Sequence, residues 1–145
     1  MRLVIKHMGK TNLKLIIAMA RSYNNTFGKI EKNIKSFDLT SSEFGVLEFL
    51  YHKGDQPVQE IAKKILVTSG TITYVINKLI EKEYVERKQC SKDKRIFYIH
   101  LTKKGEGKMA NIFPDHEAFL DELFKDLADA EKKLLIEKLR KLSKL

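Results

Sequence analysis

The chain has 145 residues, 43% of them hydrophobic, which is enough to bury one core and too few for two full domains. Lys and Arg number 28 against 19 Asp and Glu, a formal charge of +9 with a pI of about 9.5; this favours a polyanionic partner, nucleic acid first and an anionic membrane surface second, through counterion release. The single cysteine excludes an internal disulfide and a multi-cysteine zinc site, and no apolar run approaches the ~20 residues that span a bilayer, so a soluble, cytoplasmic chain with no membrane partner is expected.

Gly and Pro are scarce, 7 and 2 residues, which predicts a mostly helical protein with sharply placed breaks. The opening MRLVIKHMGK has too short an apolar stretch for a signal peptide. From about Thr11 to Phe37, apolar residues fall on two heptad-spaced rows: Leu13, Ala20, Phe27 and Ile34 on one, Ile16, Tyr23, Ile30 and Phe37 on the other. That is a long helix with a narrow seam, facing either its own domain or a partner chain, and its length favours the partner.

The pattern restarts in DLTSSEFGVLEFLYHKGDQ, where Thr40 or Ser41 can cap a helix with Glu43 in its first turn and Phe44, Leu47, Leu50 and Tyr51 on one face. Gly54 and Asp55 end it, and Pro57 opens the next element. In PVQEIAKKILVTSGTITYVINKLIEKEYVER a short helix burying Ile61, Ala62 and Ile65 is followed by a turn around Val67 to Ser69. A second helix, capped by Thr68 or Ser69, buries Ile72, Val75, Ile76, Leu79 and Ile80. Two helices so joined make a helix-turn-helix.

YVERKQC, SKDKR and IFYIHLT then read as a β-hairpin around a charged turn, the position of a wing. Thr102 can cap a further helix whose start Gly105 and Gly107 loosen and which kinks near Pro114. It resumes through Phe119, Leu120, Leu123, Phe124 and Leu127, and Asp129 caps a last helix bearing Leu134, Leu135, Leu139 and Leu142. Both ends of the chain thus carry more apolar surface than the middle needs, and an intertwined homodimer buries it, with Leu13, Ile16, Ala20, Leu134, Leu135, Leu139 and Leu142 at the interface.

On the second helix of the motif, Gly70, Tyr74, Asn77 and Glu81 lie opposite the apolar stripe, with Thr71, Thr73 and Lys78 on its flanks. This face can enter a major groove. Ser69, Gly70 and Thr71 suit a phosphate or base edge at the helix N-terminus, Lys78 a phosphate, and Asn77 an adenine. The competing reading is a solvated face, but an adjacent wing and the net charge favour DNA. In the wing, Arg87, Lys88, Lys92, Lys94 and Arg95 surround Asp93. Arg95 is expected to insert into the minor groove and Asp93 to position it by a charge-assisted hydrogen bond.

The order of elements, and above all SKDKR followed by IHLTKKG, resembles the MarR family of bacterial regulators, whose signature of an Asp-x-Arg wing and then Leu-Thr-x-x-Gly falls here on Asp93, Arg95, Leu101, Thr102 and Gly105. The resemblance spans about Leu13 to Leu142. It implies a mainly α fold with a small β-hairpin wing, one domain over 1–145, in which 11–37 and 106–145 are dimerisation helices and 38–101 the winged helix-turn-helix lobe. It further implies a dimer that reads a pseudo-palindromic operator in double-stranded DNA. Within the family the sequence is similar to hydroquinone- and quinone-responsive repressors, so repression relieved by a phenolic or quinone-like small molecule is expected. Tyr23, Phe27, Phe49 and His52, with Phe44 and Tyr51, are candidates to line its pocket, although aromatics at helical spacing more often fill a core.

Cys90 lies among Arg87, Lys88 and Lys92, a setting that favours a thiolate. His7, His52, His100 and His116 lack metal-ligand spacing, and no phosphate-cradling loop or nucleophile elbow is present; neither a metal, a cofactor nor catalysis is expected. A ligand-independent architectural DNA-binding protein is the rival reading, distinguished by poor discrimination against competitor DNA.

Overall fold

The computed structural model describes residues 2–65 and 69–144, with side chains described for 9–65 and 70–144. Among the described residues the order is α1 (Arg2–Lys35), α2 (Ser41–Lys53), β1 (Gln56–Pro57), α3 (Val58–Ile65), α4 (Ser69–Glu81), β2 (Val85–Gln89), β3 (Phe97–Leu101), α5 (Lys103–Leu123) and α6 (Asp129–Ser143). The mainly helical, winged architecture expected from the sequence is present. No described helix is long and apolar enough to cross a membrane.

Helix α1 begins at Arg2, well before Thr11, because a lone Gly9 costs only ~1 kcal/mol within an otherwise helix-forming stretch. It stops at Lys35, before Phe37, where the chain turns through Asp38 at φ 60°. Only its C-terminal end joins the core: Ile34 is buried and Ile30 and Phe37 pack against the cluster. Leu13, Ile16, Tyr23 and Phe27 remain between 53% and 62% exposed.

Thr40 caps α2 by a reciprocal box. Its hydroxyl accepts from the Glu43 N–H at 3.1 Å, and the Glu43 carboxylate accepts from the Thr40 N–H at 3.3 Å. The second Glu43 oxygen meets Lys82 Nζ at 2.7 Å, and Lys82 also donates to the Asp38 carbonyl at 3.1 Å. This buried carboxylate therefore ties the start of α2 to the end of α4. Phe44, Val46, Leu47 and Leu50 face inward, whereas Tyr51 is exposed.

The expected hairpin is one part of a three-stranded antiparallel sheet ordered β1-β3-β2, so Pro57 ends a short strand, pairing with Tyr98, before α3 opens at Val58. Pairing of Val85 with Leu101 through Gln89 with Phe97 sets the register of β2 on β3. Ile99 and Leu101 on β3 and Val85 on β2 are buried, and the remainder of β2 is solvated. The turn expected around Val67 to Ser69, and Thr68 as a cap, lie outside the described residues; Ser69 opens α4, and its side chain is likewise outside them. Ile72, Val75, Ile76 and Leu79 of α4 are buried with Ile61 of α3, while Ala62, Ile65 and Ile80 pack at the core's edge.

Thr102 caps α5, its hydroxyl accepting from the Gly105 N–H at 3.1 Å and donating to the Glu83 carbonyl at 2.6 Å. Gly105 tightens this start instead of loosening it: a Cβ there would stand 2.2 Å from the Tyr84 carbonyl oxygen. Pro114 lies on the exposed side of one continuous helix, where water can satisfy the carbonyl that loses its donor. The helix ends at Leu123, short of Leu127. The cap of α6 is Ala128, not Asp129, with the Ala128 N–H donating to the Glu131 carboxylate at 2.8 Å. Helix α6 buries none of its side chains.

Candidate nucleic-acid interface

The core holds α4 by Ile72, Val75, Ile76 and Leu79, and the 100° step between residues turns Gly70, Tyr74 and Asn77 outward. Thr71 and Thr73 are exposed on the same helix. Lys78 Nζ lies 3.2 Å from the Glu81 carboxylate and 5.6 Å from the centre of the Tyr74 ring. The bond from Glu81 holds the ammonium above the ordinary lysine range. Lys78 is thus a fixed cation at the end of the outward face.

Alternation along β2 places Arg87 on the same side as the buried Val85, but beyond the core, so its long side chain reaches back to α4. Its Nη2 donates to Asn77 Oδ1 at 3.0 Å. Asn77, expected to meet an adenine, already has one lone pair of its oxygen engaged. This contact fastens the base of the wing to the outward face of α4. Sequence reasoning grouped both residues but missed the bond, which depends on the β2 register and on which sheet face meets α4.

Farther along the wing, Cys90 N–H donates to the Ile96 carbonyl at 2.8 Å and the Gln89 amide to the Lys94 carbonyl at 2.7 Å, closing the loop. Asp93 accepts from the Arg95 backbone N–H at 3.0 Å and from its guanidinium Nε and Nη2 at 3.1 and 3.0 Å. The Arg95 side-chain and backbone donors lower the Asp93 pKa, and the carboxylate raises that of Arg95. Arg95 nevertheless remains 90% exposed at its side chain, a cation held by its stem-side edge and presented outward. Lys92 and Lys94 are exposed beside it, and Lys88 lies 3.9 Å from the Glu86 carboxylate. Cys90 is half-buried.

At the other end of β3, His100 Nδ1 donates to the Asp55 carboxylate at 2.7 Å, and its Nε2 stands 3.9 Å from Glu86. This link across the sheet joins residues that no sequence spacing connects. It borders a concavity of about 460 Å³ lined by residues including Tyr51, Asp55, His100, Lys103 and Glu106. Of the six aromatic candidates Tyr51 lines it, and Tyr23, Phe27, Phe44, Phe49 and His52 do not. Tyr23 and Phe27 stack on each other at 4.5 Å on the open face of α1, Phe49 packs against the core, and His52 sits 4.8 Å from Phe113. Deeper in, His116 bonds Asn33 of α1 at 2.9 Å and packs 4.6 Å from Phe44 of α2, joining three helices. Among the described residues no cluster of His, Cys, Asp or Glu is arranged to hold a metal ion.

The sequence profile described as MarR family matches residues 39–97, from just before α2 to the first residue of β3. The HTH-type transcriptional regulator MhqR of Bacillus subtilis (strain 168) is 43% identical over 134 residues, covering 92% of this chain and 92% of its own length. Among solved structures, AbsC, a MarR family transcriptional regulator from Streptomyces coelicolor, superposes with a TM-score of 0.86 at 20% identity, covering 92% of this chain and 93% of that one. Reduced AbfR bound to DNA superposes at 0.70 with 25% identity, over 97% of this chain and 96% of that one.

Proposed function

This chain belongs to the MarR family of DNA-binding transcriptional regulators, and from that premise we propose that it acts as a homodimeric repressor which reads a pseudo-palindromic operator and is released by a phenolic or quinone-like small molecule. The observation that carries the reading is the Arg87–Asn77 bond, which makes the outward face of α4 and the base of the wing one surface. From Arg87 to the tip the wing reaches on the order of 15 Å at ~3.3 Å per residue. That is close to half of a ~34 Å DNA turn, the step from a major groove to the neighbouring minor groove. In this reading Ser69, Gly70, Thr71, Thr73, Tyr74, Asn77 and Lys78 meet the major groove. Lys88, Lys92 and Lys94 meet phosphates, Arg87 stands beside Asn77 at the base of the wing, and Arg95 enters the minor groove with Asp93 behind it.

The dimer follows from the uncovered apolar rows at Leu13, Ile16 and Ala20 of α1 and at Leu134, Leu135, Leu139 and Leu142 of α6. A partner laid on these rows also brings apolar surface beside Tyr23 and Phe27, where a flat aromatic effector could be enclosed. Identity to MhqR supports a shared regulatory role. The test is anisotropy titration with operator-sized duplexes recovered by selection, against competitor DNA at physiological salt. Wild type is expected to discriminate by 10³-fold or more, and Arg95→Ala to weaken binding to many sequences alike. A titration with hydroquinones and phenols then reads release. Equal affinity for selected and random duplexes overturns the assignment as a specific repressor.

A further inference from the structure

The geometry points to Arg87 as the residue that sets the base preference of Asn77, turning an adenine reader into a guanine reader. The inference rests on the reading that the outward face of α4 meets the major groove. Arginine has donors only, so the Asn77 group facing it is the oxygen, and the amide cannot be rotated without losing the 3.0 Å bond. The Asn77 Nδ2 is thereby turned outward. Among the described residues Arg87 has no carboxylate partner, since the nearby Glu86 pairs with Lys88. Its remaining N–H groups stay available beside the amide.

A free asparagine recognises adenine by using both ends of its amide, the nitrogen donating to N7 and the oxygen accepting from N6. With one lone pair of the oxygen held by the guanidinium, the adenine N6 donor has to approach the other lone pair beside the charged N–H groups of Arg87, which repel it. What the pair offers is a row of N–H donors. Only guanine presents two adjacent acceptors, N7 and O6, in the major groove; adenine places a donor at the second position and the pyrimidines present one hydrogen-bonding group each. The Asn77–Arg87 pair therefore selects guanine at the step it faces.

The experiment uses full-length protein to enrich binding duplexes from a randomised pool, followed by titration of the enriched site with each base in turn. Wild type is expected to prefer guanine over adenine at one symmetric step by on the order of tenfold, the discrimination given by a two-bond base contact. Arg87→Met keeps the stem but frees the oxygen, and should move the preference at that step toward adenine. Arg87→Lys retains a donor to Oδ1 and should keep guanine, and Asn77→Ala, which removes the amide donor but leaves those of Arg87, should weaken the guanine preference without moving it to adenine. Both residues are exposed, so unchanged thermal melts are expected to accompany these shifts. A wild type that prefers adenine there overturns the inference. So does an Arg87→Met protein that loses affinity equally for all four bases with a salt slope smaller by about one, the mark of a phosphate contact. A wild type that enriches no sequence overturns the DNA-reading assignment itself.

Discussion

In the proposed interface Asp93 is an acid on a surface that meets phosphate, and its cost in repulsion has to be offset by what it does to Arg95. Three bonds of 3.0 to 3.1 Å fix one edge of the guanidinium and its own backbone, leaving the rest outward. Removing the acid by Asp93→Ala therefore has two opposite effects. Nonspecific DNA binding should strengthen by several-fold, because one repulsive charge is gone. Discrimination between operator and random duplex should fall, because Arg95 is no longer held. Competition gel shifts at two salt concentrations read both, and an unchanged ratio removes Asp93 from a positioning role. His116 makes a different demand. Burial lowers its pKa below the ordinary histidine range, against an opposing pull from Glu48 and Glu117. The unfolded chain takes up the proton first, so the stability of the neutral folded form is complete above pH ~6.5 and declines as pH falls below it. Thermal melts from pH 8 to 5 should show this decline in wild type, and His116→Phe, which keeps the packing against Phe44, should reduce it.

Packing at the wing's base explains why Leu101, Thr102 and Gly105 occur at that spacing. Leu101 ends β3 inside the core, Thr102 caps α5 while holding the Glu83 carbonyl, and Gly105 lets the first turn of α5 lie against the Tyr84 carbonyl. A methyl at position 105 meets backbone at 2.2 Å and the Leu101 side chain at 2.8 Å, and the backbone atom has no room to yield. Gly105→Ala should cost about 1–3 kcal/mol by overpacking, read as a lower urea midpoint at constant slope. Thr102→Ala should cost about 1 kcal/mol through the lost cap. The helices were legible in the sequence because their apolar stripes are long, and the wing because its strands alternate around a charged turn. Strand β1 was not: two residues carry no periodicity, and Gln56 and Pro57 pair with β3 only because of where α2 ends. The Arg87–Asn77 and His100–Asp55 contacts were invisible because they arise from strand register and not from spacing along the chain.

In the proposed dimer, the helices at both ends of the chain pack against a second copy. From Lys10 to Phe27, helix α1 has mostly exposed side chains, and α6 buries none, while Leu134, Leu135, Leu139 and Leu142 stay 43% to 53% exposed. Helices in water draw most of their stability from packing an amphipathic face, and the proposed partner is what covers this row. A charge on the row should separate the copies. Leu139→Glu and Leu13→Glu are expected to shift sedimentation at micromolar concentration from dimer to monomer, and to lower helical ellipticity as the unsupported part of α1 frays. The core around Leu47, Ile61 and Ile76 lies within one chain, so a cooperative melt should survive. DNA affinity should respond more strongly than fold. Two lobes held together make the second half-site contact intramolecular, and losing that link is expected to weaken operator binding by roughly 10²-fold or more. Nonspecific binding, set by the charge of each lobe, should change little. Dimers of unaltered stability in both variants would place the subunit contact elsewhere, and with it the spacing of the two recognition helices.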